Sequence, residues 1–401
     1  MQLNAGRRMI RIVENFRIHR NLLLPIGLWP YNQSKFVNLQ LLLFNLITNS
    51  FIIFQLTSFI TAECTVDHIL KVLSVMFFFL FYDVHYTSYW INAYVLKGFM
   101  ERLQYVCNDL KDENEIAIFK KYENIAEHIA IILTSFTACT VLILSLLPLL
   151  PWILGTFLFA NESHPLYNII ETEYFVDEEK TFYLTLLHTY ASLYIGVTAT
   201  VGGGLVVLTY IIHICGLFSI ASYRMNQLLI LNIHDKTNLK NNMDIDKKIA
   251  RIVDFHCIAI ELSEFYVSNF NGTYFCIILL VVICLSLNLY QVFQSVLQRT
   301  SVEKSVLHLI FAVTVIIYSF VANYAGQEII EHYNDMFYVA YNIQWYTAPI
   351  RIQRLILFLL QRSCKIYCLR IGGLFNASLE CFGSLFAASM SYFTMMYSIQ
   401  K

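Results

Sequence analysis

The stretch Phe265–Gln298, FYVSNFNGTYFCIILLVVICLSLNLYQVFQSVLQ, contains no Asp, Glu, Lys or Arg. A helix needs about 20 residues to cross the roughly 30 Å of bilayer hydrocarbon, so this run is long enough to span it. Comparable uncharged runs lie at Phe36–Ile60, His128–Asn161, Thr181–Tyr223 and Ser305–Gln327. A sixth, Val72–Val95, is broken by Asp83, and a seventh, Ile371–Gln400, holds Glu380 alone. In lipid a helix bundle satisfies every backbone group, so the expected fold is all-α with seven membrane spans. Composition agrees: 57% of residues are hydrophobic, 14% are charged, six are prolines and mean hydropathy is +0.57. The net charge of −1 offers nothing to nucleic acid.

The basic residues orient the spans, because short cytosolic loops collect Lys and Arg. The first 35 residues hold Arg7, Arg8, Arg11, Arg17, Arg20 and Lys35. The loop after the second span holds Lys97, Arg102, Lys111, Lys120 and Lys121, and the loop after the fourth holds Arg224, Lys236, Lys240, Lys247, Lys248 and Arg251. Arg351, Arg354, Arg362, Lys365 and Arg370 precede the last span. All four groups share one side if seven spans start from a cytosolic N-terminus. The stretch Asn161–Lys180 between the third and fourth spans is acidic, as an external loop can be. A seven-helix receptor coupled to a G protein has the opposite orientation. No cleavable signal is visible, so the first span is expected to target the chain. Leu22–Trp29 is too short to span and is expected at the membrane interface.

Four parts follow: 1–35, a cytosolic segment; 36–326, six membrane helices; 327–373, cytosolic helices; and 374–401, the last span. Gln327–Arg362 reads as a charged, aromatic-rich helical region divided near Pro349. Gly202-Gly203-Gly204 in the fourth span reads as a small-residue packing seam or a loosened turn.

No catalytic constellation is present, and neither a cofactor nor a metal is expected. His85, His188, His213 and His308 show no His-x-x-x-His pair, and each reads as a hydrogen-bonded bundle residue. Asp83 is costly in a span and reads either as a polar anchor or as a cavity group. The ten cysteines are scattered, and Cys364 and Cys368 read as plain thiols. Of the sequons at Asn32, Asn161, Asn271 and Asn376, Asn161 is expected in a sizeable external loop, with the other two late ones at inner helix ends.

Aromatics are abundant, with 31 Phe and 26 Tyr. In the outer halves of spans they can line an apolar pocket with a few hydroxyls, although packing or lipid contact is the better reading for any one of them. Helical spacing puts Phe78, Phe81 and Tyr82 on one face, Leu144 with Leu147, and Tyr190 with Tyr194. Phe311 and Tyr318 lie one to two turns apart on the sixth span.

The C-terminus carries Gly372-Gly373-Leu374-Phe375, then Ser378-Leu379-Glu380-Cys381-Phe382, then Ser391-Tyr392-Phe393-Thr394. This resembles the end of insect odorant receptors. Ile26-Gly27-Leu28-Trp29-Pro30 resembles that family's Gly-x-Trp-Pro motif, and Gln344-Trp345 its last cytosolic helix. The resemblance implies a subunit of a tetrameric, ligand-gated, non-selective cation channel in the plasma membrane of sensory neurons. It implies a coreceptor as partner, a small volatile odorant as ligand, and surrounding lipid. It also places the odorant in the outer half of the second, third, fourth and sixth spans, where Phe78, Phe81, Tyr82, Leu144, Leu147, Tyr190, Tyr194, Phe311 and Tyr318 are the candidates. The last span would line the pore, with Ser391 and Ser398 on its wall and Met395 as an apolar gate. Glu380 either faces the permeating cations or pairs with an Arg such as Arg370. The coreceptor has Val and then Gln near the gate; Met395 and Ser398 here imply a tuning subunit. A gustatory-type channel and a metabotropic receptor are the alternatives.

Overall fold

A computed structural model describes residues 16–61, 65–110, 112–149, 170–175, 178–232, 239–298, 302–342, 345–347, 349–365 and 367–399. Asn161 and Gln344 lie outside them. The chain forms helices α1 (Arg17–Leu23), α2 (Lys35–Leu56), α3 (Val66–Ile91), α4 (Ala93–Asp109), α5 (Glu113–Leu146), α6 (Glu178–Asn232), α7 (Leu239–Leu297), α8 (Val302–Asn342), α9 (Ile350–Ser363) and α10 (Leu379–Ile399). Their starts follow ordinary capping chemistry. The side chains of Ser34, Thr65 and Asp112 accept from Val37, His68 and Asn114 backbone N–H groups at the starts of α2, α3 and α5. Glu113 and Glu115 add favourable charge to the first turn of α5. Pro349 caps α9 and separates it from α8.

Six of these helices, α2, α3 and α5 to α8, are long and apolar enough to cross a membrane. The seventh span is α10, whose 21 residues rise about 31 Å but carry more hydroxyls. Helix α6 is the hub: 83% of its most apolar window is buried within the protein, against 11% for α5. The sides of α5 left uncovered present Ile131, Ile132, Leu142 and Ile143, as a lipid-facing helix does.

The two ends differ as the charges require. At the outer end residues 170–175 cross α2 and α3: Glu173 N–H donates to Phe54 O, Thr57 Oγ1 donates to Glu173 O at 2.7 Å, and Lys71 pairs with Glu171. At the inner end Arg224 holds Glu115 through two hydrogen bonds of 2.6 and 2.8 Å and lies over the ring of Phe255.

Three expectations are refined. The described basic residues after the second and fourth spans are on helices rather than loops, in α4, the start of α5 and the facing ends of α6 and α7; Lys111 and Lys236 lie outside the described residues. Apolar positions such as Leu96, Phe99, Leu103 and Ile252 are buried and hold these extensions together. Helix α8 runs unbroken across 326–327, so that division is one of surroundings and not of chain. Residues 22–29 are packed and not free: Leu23, Ile26, Leu28 and Trp29 are buried in the main core, with α1 packed on α6.

The triple glycine is a seam inside a continuous helix. A Cβ on Gly203 would fall 2.2 Å from the ring of Tyr89, and one on Gly202 would fall 2.8 Å from Leu23. Gly196 meets Tyr82 in the same way at 2.6 Å. Gly196 and Gly203 thus let α3 lie close against α6, and Gly202 lets α1 do so.

Before α10 the chain makes a short hairpin, β1 (Arg370–Ile371) with β2 (Phe375–Asn376), in register Arg370 to Asn376. Gly372 and Gly373 turn it with φ of 63° and 71°, a region that costs other residues strain.

Candidate functional site

A cavity of ≈ 170 Å³ lies between α3, α5, α6, α7 and α8. An apolar cavity of about 150 Å³ is large enough to take up a benzene-sized guest. It runs along α5 from Leu133 to Leu144 and along α8 from Thr314 to Ala325, about 16 Å by helical rise. The walls are mostly aliphatic and aromatic, which suits a guest held by dispersion and shape.

The candidate residues divide between this cavity and a smaller one nearer the outer end. Phe81, Tyr82, Leu144 and Tyr318 line the main cavity. Leu144, Leu147, Tyr190 and Phe311 line the outer one, with Phe79, Ile170 and Leu193. Phe78 lines neither: it is fully buried and stacks on Phe311. Tyr194 also lines neither; it is 46% exposed, and its hydroxyl is tied to Ser145 Oγ at 2.8 Å. Its one-turn spacing from Tyr190 is real, but the ring turns to the rim of the bundle.

Sequence reasoning missed the α7 wall: Tyr266, Asn271 and Tyr274, with Leu369, Ile371 and Ala377 of the hairpin region, all border the main cavity. Asn271 sits within α7, near the start of the uncharged run 265–298. A polar amide in the uncharged run Phe265–Gln298 was the available signal. Its Oδ1 accepts the backbone N–H of Gly372, so one side chain joins cavity wall and hairpin. Asn323 Oδ1 accepts from Ser378 N–H at 3.3 Å, and Gly326 packs against Ala377 backbone. The cavity therefore borders the segment from which α10 begins.

The other polar groups in the spans are anchors. Asp83 accepts from Thr48 Oγ1 at 2.7 Å and Asn49 Nδ2 at 3.1 Å, joining α3 to α2 away from the cavity. His85 faces the other way and meets the Tyr318 hydroxyl at 2.7 Å. His188, His213 and His308 bond Tyr174, Thr209 O and Asn288 respectively. No group of metal-binding side chains occurs among the described residues.

Helix α10 packs on α7 and α8 through Leu385 and Ser389, which are buried. The opposite face, Glu380, Ser384, Ala387, Ser391, Met395 and Ser398, is exposed in the single chain. Its steps of three and four residues make one continuous stripe, small or hydroxylated except for Glu380 and Met395. Met395 is 51% exposed. No ion pair joins Arg370 to Glu380 among the described residues.

The family model described as 7tm Odorant receptor matches residues 65–390. The solved structure of the insect olfactory receptor OR5 from Machilis hrabei in complex with eugenol is similar to this chain, with a TM-score of 0.78 at 15% identity over 98% of this chain and 99% of that one. The structure of the same receptor described without a ligand is similar at a TM-score of 0.73, with the same identity and coverage. No curated protein sequence matches the chain.

Proposed function

Because the chain belongs to the 7tm odorant receptor family, a family of receptors and not of enzymes, we propose that it is an odorant-gated, non-selective cation-channel subunit. It is a multi-pass membrane protein with seven spans. The observation that carries the reading is the adjacency of an apolar cavity to the hairpin leading into α10. Helix α10 in turn presents an uncovered stripe of small and hydroxylated residues ending near Met395. The complex of the Machilis receptor with eugenol supports a small organic ligand for this chain too.

In this mechanism the odorant binds the open state more tightly and shifts a pre-existing equilibrium. Movement at Leu369, Ile371 and Ala377 passes directly to the start of α10. Four such helices around an axis, shared with a coreceptor, form the pore. Met395 closes it by dewetting, and Ser391 and Ser398 replace part of an ion's hydration. Glu380, exposed at the inner end, concentrates cations there. The setting is the plasma membrane of a sensory neuron.

Recording ligand-evoked current from cells that express the chain with and without a coreceptor tests this. Current that reverses near zero and needs no G-protein nucleotide is expected. Responses that vanish when G-protein cycling is blocked would overturn the reading in favour of a metabotropic receptor.

A further inference from the structure

At the outer end, where α3 begins, α7 ends and α8 begins, lies another cavity, of ≈ 260 Å³. Every residue that lines it is polar or ionisable, whereas the two cavities described above are walled mostly by carbon. It shares no lining residue with either of them, and α10 contributes none. It is therefore separate both from the apolar site and from the stripe on the last span.

The charges around it are unequally answered. Glu171 takes both Lys71 and His68, the latter at 3.3 Å. Asp67, exposed at the mouth, accepts from the Tyr290 hydroxyl at 3.4 Å. Lys304 stands beside Lys71, near enough for the two ammonium groups to repel, and Glu171 and Glu303 attract it only from longer range. It makes no ion pair among the described residues. A half-buried ammonium group in that position lacks an anion.

Two buried side chains also border the cavity with polar atoms unused. Gln291 is 7% exposed, and its amide makes no hydrogen bond among the described residues. His308 is 3% exposed. Asn288 Nδ2 donates to Ser74 O at 3.3 Å and to Cys284 O at 2.8 Å, so the atom it turns to His308 Nδ1, at 3.0 Å, is Oδ1. Nδ1 must then carry the hydrogen, and Nε2 of the neutral ring is a bare acceptor. Neither the Gln291 amide nor His308 Nε2 is sealed from the cavity. Native proteins leave few such groups without a partner. Lys304 and His308 are one turn apart on the same face of α8. Side by side, the site offers a cation and an amide N–H to an anion, and a ring nitrogen to a donor.

We propose that this cavity binds a small water-soluble carboxylate with a hydrogen-bond donor beside its carboxyl group, a 2-hydroxy or 2-amino acid, and that its occupancy modulates the receptor. Lys304 and the Gln291 amide take the carboxylate, and His308 Nε2 takes the neighbouring donor. Where that donor is an ammonium group, Asp67 attracts it as well. The bound acid ties together the outer ends of α3, α7 and α8, three helices that also wall the main cavity. A ligand that holds those ends in one arrangement biases any equilibrium in which they move. Access from outside rests on the orientation read from the basic residues. Binding to the purified protein depends on neither that orientation nor the channel reading.

The full chain is purified with its coreceptor, and melting curves are titrated with lactate, alanine, propionate and lactamide at constant ionic strength. Lactate or alanine should raise the melting temperature, half-maximally at a concentration at least about tenfold below that of propionate or lactamide. Which of the two acts identifies the donor as hydroxyl or ammonium. Lys304→Gln and, separately, Gln291→Met should abolish the rise, each read against its own ligand-free curve. Propionate as effective as lactate and alanine, no rise with any of them, or a rise retained in Lys304→Gln would overturn the proposal. In cells, the effective acid applied outside should move the half-maximal odorant concentration by about fivefold or more. Binding without that movement would overturn the modulatory role.

Discussion

Phe78 of α3 and Phe311 of α8 stack face to face, with ring centroids 3.8 Å and planes 13° apart. Phe311 lines the outer cavity, while Phe78 lies edge-on to Tyr82, which lines the main one. Leu144 lines both spaces, and the stacked pair stands on the side of the outer one. Phe311→Ala should join them. Removing a buried Phe costs about 3–5 kcal/mol, so a lower melting temperature is expected. Among receptors that still reach the surface, longer members of a homologous alcohol series should gain potency over shorter ones. An unchanged rank order would show that the spaces stay separate.

The uncovered stripe of α10 makes a chemical prediction. Cysteines at Ser391, Met395 and Ser398 should react with aqueous thiol reagents in the open state, while cysteines at Leu385 and Ser389, packed on α7 and α8, should not. Met395→Ser should raise ligand-independent leak, because a polar side chain keeps the constriction wet. Glu380→Gln should lower cation conductance with little change in ligand potency. Reagent reaching none of the three stripe positions removes α10 from the permeation path.

Glu115 and Arg224 form a bidentate pair on the cytosolic side, with side chains 9% and 19% exposed. Arg224 also stacks on Phe255 at 4.0 Å. Breaking a largely buried pair costs about 3–5 kcal/mol. Arg224→Ala should therefore sharply reduce surface expression. Arg224→Lys should recover part of it, since lysine keeps the charge but not the fork or the flat stack. Equal expression of all three proteins would show the pair to be dispensable.

The charge segregation predicts which epitopes are accessible. A tag before Met1 should require permeabilised cells, and one after Lys401 should be stained on intact cells. Asn161, in the external loop read from the sequence, should carry the glycan. Asn161→Gln should abolish the glycosidase-sensitive mobility shift; retention of that shift would move the loop to the other side.

Much of the fold was legible because hydropathy and basic residues are properties of the chain alone. The seven spans and their expected orientation follow from them, and the division at Pro349 follows from the proline ring. The cytosolic extensions were not, because Lys97, Arg102, Arg224 and Arg251 on amphipathic helices look like loop residues until Phe99, Leu103 and Ile252 are seen buried. The cavity was half legible. Phe81, Tyr82, Leu144 and Tyr318 line one cavity from three helices, but spacing within one helix cannot say which neighbour covers a face. Tyr194, one turn from Tyr190, lines neither cavity for that reason. Asn271 escaped notice because its partner, Gly372, is a hundred residues away in sequence.

The triple glycine has a consequence for how such a receptor diversifies. A methyl group at 202 or 203 strikes Leu23 or Tyr89, whereas one at 204 meets no atom within 4 Å and lies on the cavity wall. Adjacent codons therefore live under opposite regimes. A side chain at Gly203 should cost the fold its close α3–α6 contact. Drift at Gly204 leaves the helices in place and shrinks the chamber by one carbon at a time. After gene duplication, a copy can change its chemical taste through position 204 while its neighbour stays fixed.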